Sequence, residues 1–296
     1  MNSDIKRFFD FVAERHAIWD RRFMQELPPP WTDDPILQKY KFCNVYRDLD
    51  RGTQWIAANA PDICKFDKKL AEQDKQNVIY QVVCYRLLNN SDFFEKHPMP
   101  DLDEKPWDSG ISEQTLREYK KECGYLFNTA YTTFKTFNNA TGLKDTIKSY
   151  CAIIEFAYRN IESISDLVLN AATAEGSCKS LESIPGVGAF LAYEIWCDLI
   201  LLKVHKWGED DYCNVGQGAV AGLRIIYPEM NTNGFTNAEW VALCVALQKC
   251  QKEYLPADYS GKRLSLRSIE HSLCEFRKYF NLKLGKGRPR LFNPLT

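Results

Sequence analysis

The stretch "LESIPGVGAFLA", residues 181–192, places Pro, Gly, Val and Gly directly before an apolar run of helical character. A Gly-x-Gly turn lets the backbone adopt φ > 0 and lets another group approach it closely, and the helix that follows presents unpaired N–H groups. This combination suits an anion such as a phosphate. Residues 178–224 as a whole predict a helix-hairpin-helix pattern, which binds the DNA backbone without reading sequence. The alternative is that Gly186 and Gly188 only close a tight connection between helices.

Composition sets the limits within which this turn can act. The chain has 296 residues, 45% of them apolar and 13% aromatic, which is enough for a full core in one large domain or two lobes. A formal net charge of −1 argues against a protein that coats nucleic acid, but it leaves a local basic patch open. Eleven Cys without a C-x-x-C pair indicate reduced thiols in an intracellular protein, of the host cytoplasm if viral and of the nucleus if eukaryotic.

Helical periodicity runs along almost the whole chain, so an all-α fold is expected. The predicted helices cover 4–24, 42–58, 66–90, 112–139, 143–158, 161–172, 189–203, 214–227, 236–252 and 266–280. Residues 91–111, rich in Pro and Asp, indicate a long connection. We expect one helical domain over residues 1–296, with an N-terminal lobe of about 1–140, a helix-hairpin-helix lobe of about 141–260, and a basic C-terminal helix and arm over 261–296.

Several functional signatures are absent from the sequence. The Gly-Lys dipeptides at 261–262 and 285–286 lack the spacing of a P-loop, so a P-loop kinase is not expected. G-x-S-x-G and H-E-x-x-H are missing as well. With four His and no clustered thiolates, no metal site is expected. No apolar run reaches the roughly 18 residues that span a bilayer, and no membrane partner is expected.

The C-terminal segment, residues 261–290, carries nine Lys and Arg against two acids, with aromatic residues between them. Basic residues interleaved with aromatics fit a DNA strand, whereas the alternative is an ordinary basic tail. The residues expected to contact DNA phosphates are Gly186, Val187, Gly188, Gly216, Gly218, Lys278, Lys286, Arg288 and Arg290.

Six separated motifs resemble one protein family. They are "FVAERHAIWDRR" (11–22), "PPPWTDDPILQKYKFCNVYRDLDRGTQWI" (28–56), "YRLLNN" (85–90), "IPGVGAFLAYEIWCDL" (184–199), "EDDYCNVGQGAVAGL" (209–223) and "SIEHSLCEFRKY" (268–279). The family is that of the helical domains of DNA thymine hypermodification: alpha-glutamyl/putrescinyl-thymine pyrophosphorylases, amino acid:DNA transferases and the helical domain of 5-hydroxymethyl-deoxyuridine DNA kinases. The resemblance runs from about residue 8 to residue 291 and implies a two-lobed fold like that of helix-hairpin-helix DNA glycosylases.

The resemblance implies chemistry on a flipped 5-hydroxymethyl-pyrimidine whose phosphate or pyrophosphate is replaced by an amine or amino acid. The residues it implies for catalysis are Arg47, Asp50, Asp210 and Asp211, the last two lying 22 and 23 positions after Gly188, near the place of the glycosylase Asp. The residues it implies for the pocket of the base or substrate are Asn44, Arg51, Gln54, Arg86, Asn89 and Gln217. His271 and Glu275, four positions apart on the C-terminal helix, are expected to face the same pocket. Without the family, "NVYRDLDR" predicts a solvated helix face with internal ion pairs.

The partners implied are double-stranded DNA with a modified pyrimidine, a separate DNA base kinase, and an amine or amino-acid donor. No cofactor is expected beyond a monovalent cation at the hairpin. Two alternatives stay open: a catalytically inert DNA-binding partner of a base kinase or oxygenase, and a monofunctional glycosylase for a modified base. Because Phe190 stands where lyase-type glycosylases carry Lys, a lyase is not expected.

Overall fold

The computed structural model describes residues 3–60, 72–103, 111–128, 134–287 and 290–293. Within these ranges the chain is helical, and its β-structure is limited to one bridge between Tyr40 and Leu291. The expected all-α class is therefore confirmed. None of the helices in these ranges is long and apolar enough to cross a membrane. Part of the predicted helix 66–90 lies outside the described residues. Part of the predicted connection 91–111 does so too, and the connection is wrong at its start, where Asn90 accepts from the N–H of Phe93 at 3.1 Å and caps a helix over Ser91–Lys96.

The chain divides into two compact units. Unit 1 comprises Met1–Asp50 and Glu209–Thr296, and unit 2 comprises Arg51–Gly208. The helices of unit 1 are α1 (Ser3–Trp19), α2 (Pro35–Lys39), α12 (Gln217–Ile226), α13 (Asn237–Tyr254) and α14 (Leu266–Lys283). The helices of unit 2 are α3 (Arg51–Asn59), α4 (Glu72–Leu88), α5 (Ser91–Lys96), α6 (Glu113–Cys123), α7 (Phe134–Thr141), α8 (Thr146–Arg159), α9 (Ile161–Leu169), α10 (Ala174–Ser180) and α11 (Ala189–Leu201). These boundaries differ from the lobes expected at about 140 and 260, because α1 packs on helices from the other end of the chain.

Unit 1 is built on the close packing of α12 against α14. A Cβ added at Gly222 would lie 2.4 Å from the carbonyl oxygen of Leu273, and one added at Gly218 would lie 2.4 Å from Sγ of Cys274. Glycine at these two positions, one helical turn apart, thus lets the two backbones approach. The aromatic residues of α1 complete this core; the ring centroids of Phe8 and Phe276 are 5.6 Å apart.

Two of the predicted helices are wrong in extent. The segment before Arg51, predicted as part of helix 42–58, is a loop with a 3-10 turn at Arg47–Leu49, because Asn44 bonds locally. Its Nδ2 donates to the carbonyl of Leu49 at 2.8 Å and its backbone N–H donates to Asp50 at 3.0 Å, which offers the backbone an alternative to helix. The predicted helix 112–139 ends at Gly124, a left-handed cap with φ +77°.

Unit 2 contains a fully buried ion pair. Arg86 donates through Nε and Nη2 to the two carboxylate oxygens of Asp198, with Nη2 at 2.6 Å from Oδ1. Nη2 also lies 3.2 Å from the hydroxyl of Thr53. A buried pair of this kind is destabilising to break, because removal of one partner leaves an uncompensated charge.

The turn at residues 184–187 follows from its sequence. The N–H of Val187 donates to the carbonyl oxygen of Ile184 at 3.0 Å, and Gly186 has φ +80°. Pro185 at the second position and a glycine with φ > 0 at the third are typical of a type II turn. The turn joins α10 and its 3-10 extension to α11, which begins after Gly188. The helix–turn–helix order is thus present, whereas likeness to glycosylases stays a prediction.

The two glycines of this turn should respond differently to substitution. A Cβ at Gly186 would meet side-chain atoms of Ile153 and Phe137 at 3.1 Å and would force a residue with φ +80°. Gly188 has φ −94° and open space around its Cβ position. Gly186→Ala should lower the free energy of unfolding by about 1–3 kcal/mol, and Gly188→Ala by a few tenths of a kcal/mol. Urea denaturation of both variants measures this; equal losses would contradict it.

A second prediction concerns acid stability. The ring of His205 stacks on Trp196 at 5.1 Å, and burial lowers the pKa of His205 to about 4. Because the unfolded chain takes up this proton at about pH 6.5, stability should fall as the pH drops from about 6.5 to about 4. His205→Gln should remove up to about 1.4 kcal/mol per pH unit of that slope. Burial also lowers the pKa values of the other three histidines, which contribute to the slope in the same direction. An unchanged slope in urea denaturation curves across this range would exclude the role of His205.

Candidate functional site

Polar side chains from three segments meet inside unit 1. We call them the polar cluster: Arg15, Cys43, Asn44, Arg47, Asp50, His271, Glu275 and Lys278. Arg15 comes from α1, the residues from Cys43 to Asp50 from the loop before α3, and the last three from α14. On α14 their spacing of four and three residues puts them on one face of the helix.

Arg15 is the most deeply placed cation of the polar cluster. Its side chain is 4% exposed, and Nη2 donates to the carbonyl of Asn44 at 3.3 Å and to Oγ of Ser272 at 3.2 Å. Nε and Nη1 are buried and have no hydrogen-bond partner within the described part of the chain. Burial lowers the pKa of Arg15, although a guanidinium keeps its proton in proteins. The polar cluster thus holds a cation with unused donors.

Two carboxylates partly balance the cations of the polar cluster. Asp50 accepts from Nη1 of Arg47 at 2.8 Å, and burial raises the pKa of Asp50 in spite of Arg47 and the Asn44 N–H. Glu275 accepts from the backbone N–H of Cys43 at 3.1 Å and from Nζ of Lys278 at 3.2 Å. Arg15, Arg47 and Lys278 therefore face two acids, and one positive charge remains in excess.

Two further members of the polar cluster are uncharged at neutral pH. Burial, followed by the nearby Arg47 and Arg15, lowers the pKa of His271 well below its ordinary value, so its ring is neutral. Burial raises the pKa of Cys43 to about 12, with Glu275 adding to the effect, so its thiol is protonated. Nε2 of His271 is buried and finds no hydrogen-bond partner among the described residues.

The arrangement is suited to binding an oxyanion. Two arginines and a lysine converge with one charge in excess, and Arg47 and Lys278 keep 12% and 26% of their side chains exposed. Guanidinium groups offer paired donors that match phosphate and carboxylate oxygens. Because buried donors without partners are costly, a ligand that accepts from Arg15 would relieve an existing penalty.

A groove of about 350 Å³ elsewhere in unit 1 is the other candidate. It is lined by Phe11, Phe276, Tyr279, Phe280, Leu37, Arg7, Lys283, Asp10, Glu14 and Asp34. Its acids already hold partners: Asp10 pairs with Lys6 at 2.7 Å, and Glu14 with Arg21 at 2.9 Å. The third acid, Asp34, accepts from the hydroxyl of Tyr279. Since all three acids of the groove already have partners, the polar cluster is the stronger candidate.

Six residues predicted from the sequence meet in the polar cluster: Asn44, Arg47, Asp50, His271, Glu275 and Lys278. Arg15 and Cys43 were missed. The signal for Arg15 was its place on the apolar stripe of α1, where a charged residue follows Phe8, Phe11 and Val12 at helical spacing. No pattern in the sequence distinguished Cys43 from the other ten cysteines.

Other predicted pocket residues lie in unit 2. Arg51 is 70% exposed and pairs with Asp92 at 2.5 Å, while Arg86 is taken up by the buried pair with Asp198. Gln54 is exposed on α3, and Asn89 follows α4 with φ +50°. The structure therefore divides the predicted pocket between two units. Gln217 belongs to unit 1, at the exposed first position of α12.

The predicted catalytic pair Asp210 and Asp211 lies on the surface of unit 1, in the loop before α12. Asp210 accepts from the backbone N–H of Leu266 at 2.8 Å, from Gln248 at 2.6 Å and from Arg263 at 2.8 Å. Burial alone would raise the pKa of Asp210, but these hydrogen bonds outweigh it and lower the pKa. Both oxygens of Asp210 thus serve to tie this loop to the start of α14.

The residues predicted to contact DNA phosphates lie in different surroundings. The N–H of Val187 is used inside its turn, and the N–H of Gly216 donates to Glu270 at 3.3 Å. Gly218 packs against Cys274, and Lys278 belongs to the polar cluster. Lys286 is exposed after α14, Arg288 lies outside the described residues, and the carbonyl of Arg290 accepts from Lys41 N–H at 2.9 Å.

The basic C-terminal segment is less basic in the structure than in the sequence. Its residues pair with acids of unit 1: Lys262 with Asp48 at 2.8 Å, Arg263 with Asp210 at 2.8 Å, and Arg267 with Glu209 at 3.1 Å. These acids are distant in sequence, so a local count of charges could not include them. Contact of the segment and of the hairpin with DNA stays a prediction.

Asp210 gives a direct test of its structural contacts. Asp210→Ala removes the acceptor of Leu266 N–H, Gln248 and Arg263, and should lower the free energy of unfolding by about 1–3 kcal/mol. Asp258→Ala, at an exposed position of unit 1, serves as the matched variant and should change it by about 0.5 kcal/mol or less. Thermal and urea unfolding measure both. A fully stable Asp210→Ala protein would show that these hydrogen bonds contribute nothing.

Comparison with known proteins yields one family and one similar protein. Residues 3–288 match the family model described as "5-hmdU DNA kinase, helical domain". The 5-hmdU DNA kinase of Bacillus phage SP10 is 27% identical over 290 residues, which cover 93% of this chain and 44% of that protein. The chain thus spans less than half the length of this relative. No solved structure matches it.

Proposed function

Because the chain belongs to the family of 5-hmdU DNA kinase helical domains, as its motifs led us to expect, we propose that it acts on DNA containing 5-hydroxymethyl-deoxyuridine. In this proposal the polar cluster of unit 1 receives the phosphorylated or pyrophosphorylated hydroxymethyl group of the modified base. The observation that carries it is Arg15, a buried guanidinium with two nitrogen atoms that no described residue satisfies.

A phosphoryl group fits the polar cluster by charge and by number of acceptors. Its oxygens can accept from Arg15 and Arg47 together, and the excess positive charge balances part of its negative charge. A neutral pyrimidine edge would leave the guanidinium groups unmatched. The base must leave the stack to reach a buried site, at a cost of a few kcal/mol, and we propose that it is flipped out of the duplex.

The reaction we propose is substitution at the exocyclic carbon. The nitrogen of an amine or amino acid forms a bond to the C5-methylene carbon, the bond from that carbon to the phosphate oxygen breaks, and pyrophosphate leaves with the bonding electrons. The amine gives up one proton, and Asp50 is the acceptor. Its raised pKa supports this role, and a phosphate that draws Arg47 away would make the carboxylate more basic still.

A second candidate function is a helical module that positions DNA for a separate kinase and does no chemistry itself. The observation that favours it is that the matching family model describes the helical domain of a 5-hmdU DNA kinase, and the similar phage protein is itself named as a kinase. A glycosylase is less favoured, because both oxygens of Asp210 already have hydrogen-bond donors.

Nucleoside analysis separates these functions. The protein is mixed with 5-hmdU duplex, with and without a pyrophosphorylating kinase and a pool of amines, and the digested DNA is read by mass spectrometry. A thymine derivative carrying an amine, formed only when kinase and amines are present, is the expected product. Kinase stimulation without such a product would support the positioning module, and base loss would support a glycosylase.

Arg47→Gln tests the polar cluster within that assay. It should reduce product formation by about 10²–10³-fold, the usual cost of losing one donor to a developing oxyanion. Arg159→Gln is the matched control, since it removes an exposed arginine that pairs with Glu155 on the same helix. Circular dichroism checks folding. Equal activity of a folded Arg47→Gln protein and of the control would remove the polar cluster from the mechanism.

A further inference from the structure

Three different ligand types meet at one point of the polar cluster. Ligand atoms of Cys43, Asp50 and His271, one from each side chain, lie within 4.8 Å of one another. Two of these residues come from the loop before α3 and the third from α14, more than 200 positions later. The arrangement therefore depends on the fold and has no counterpart in the spacing rules of sequence motifs.

We propose that Cys43, Asp50 and His271 bind a divalent transition-metal ion of the zinc class. The sulfur, oxygen and nitrogen donors are those that zinc prefers, and three protein ligands with one remaining position are typical of reactive rather than structural zinc sites. The sequence alone predicts no metal site, because its cysteines and histidines form no paired ligand motif.

The distances allow such a site after a small adjustment. Zinc bonds of roughly 2.0–2.3 Å in a tetrahedral site place donor atoms roughly 3.3–3.7 Å apart. Donors within 4.8 Å of one another need to approach by about 1 Å, which side-chain rotation can supply. The fourth position is then available to an oxygen of water or of a bound phosphoryl group.

Each donor has the electrons that the bond requires. The His271 ring is neutral, and its buried Nε2 lacks a partner among the described residues, which is costly unless a ligand is present. Each oxygen of Asp50 accepts one hydrogen bond and keeps a second lone pair. The Cys43 thiol must release its proton to solvent, so metal binding exchanges one proton for one divalent ion.

The surrounding charges predict coupling between metal and anion. Exchange of a proton for a divalent ion adds one positive charge beside Arg15, Arg47 and Lys278, so the metal alone meets repulsion. A phosphate or pyrophosphate bound by the arginines offsets that charge. Metal and anion should therefore bind more tightly together than separately, and the coupling must be reciprocal. A role of the metal in polarising a leaving phosphate rests on the proposed function, whereas the binding of the metal does not.

Cobalt(II) provides a probe that needs no activity. Reduced, full-length protein is titrated with Co²⁺, and we expect a thiolate-to-cobalt charge-transfer band with d–d bands of tetrahedral intensity. Cys43→Ser should abolish the charge-transfer band, and His271→Gln should weaken binding by more than the roughly 10–100-fold that loss of an outer-shell partner costs. Cys250→Ser on α13, another partly buried cysteine of unit 1, is the matched control and should retain the spectrum.

A second titration with inorganic pyrophosphate tests the coupling. Cobalt affinity should rise about 5–150-fold with pyrophosphate present, and Arg47→Gln should lose most of this gain while keeping the charge-transfer band. Circular dichroism confirms that each variant is folded. A charge-transfer band that survives in folded Cys43→Ser, or a parent protein with no band, overturns the metal site. Metal binding with no activity on DNA would instead overturn the proposed function alone. Activity on DNA that persists in chelator, in a protein without a cobalt band, would overturn the metal site and leave the proposed function standing.

Discussion

The burial of Arg15 is the constraint that organises unit 1. A guanidinium withdrawn from water must be surrounded by acceptors and opposite charge, and here the carbonyl of Asn44 and the hydroxyl of Ser272 supply two of them. The first of these comes from the loop before α3 and the second from α14. Arg15, on the apolar stripe of α1, thereby links segments from both ends of the chain. Its Nε and Nη1 atoms, which no described residue satisfies, make the polar cluster suitable for binding an anion.

Helix α14 has two faces that contribute to unit 1. One face packs on α12, where Gly218 and Gly222 remove the side chains that would keep the helices apart. The other carries His271, Glu275 and Lys278 toward the loop of Arg47 and Asp50. Because the glycine contact fixes the position of α14, the polar residues on its neighbouring face are held in place by packing that has no chemical role of its own.

The charges of the polar cluster explain why it suits both the proposed anion and the proposed metal. The polar cluster has one more cation than carboxylates, which favours an anion, yet it also holds a neutral imidazole, a protonated thiol and a carboxylate with lone pairs to spare. An anion alone would leave Nε2 of His271 without a partner, and a metal alone would add to the positive charge. Together they balance the charge of the polar cluster. They make opposing demands on Asp50, because a bound metal lowers the basicity that the proposed proton transfer uses, and the experiments above separate the two proposals.

The sequence by itself determined the helical class, the Pro185–Gly186 turn and most helix positions, since these depend on local periodicity, glycine conformations and caps. It also indicated six residues of the polar cluster: Asn44, Arg47 and Asp50 through the family motifs, and His271, Glu275 and Lys278 through the C-terminal segment. Tertiary structure decided the rest: that Arg15 and Cys43 join them, that Arg51 and Arg86 belong to unit 2, and that Asp210 has structural partners. These outcomes depend on contacts between residues that are far apart in the chain, such as Arg15 and Ser272 at a separation of 257, and local patterns carry no information on such pairs.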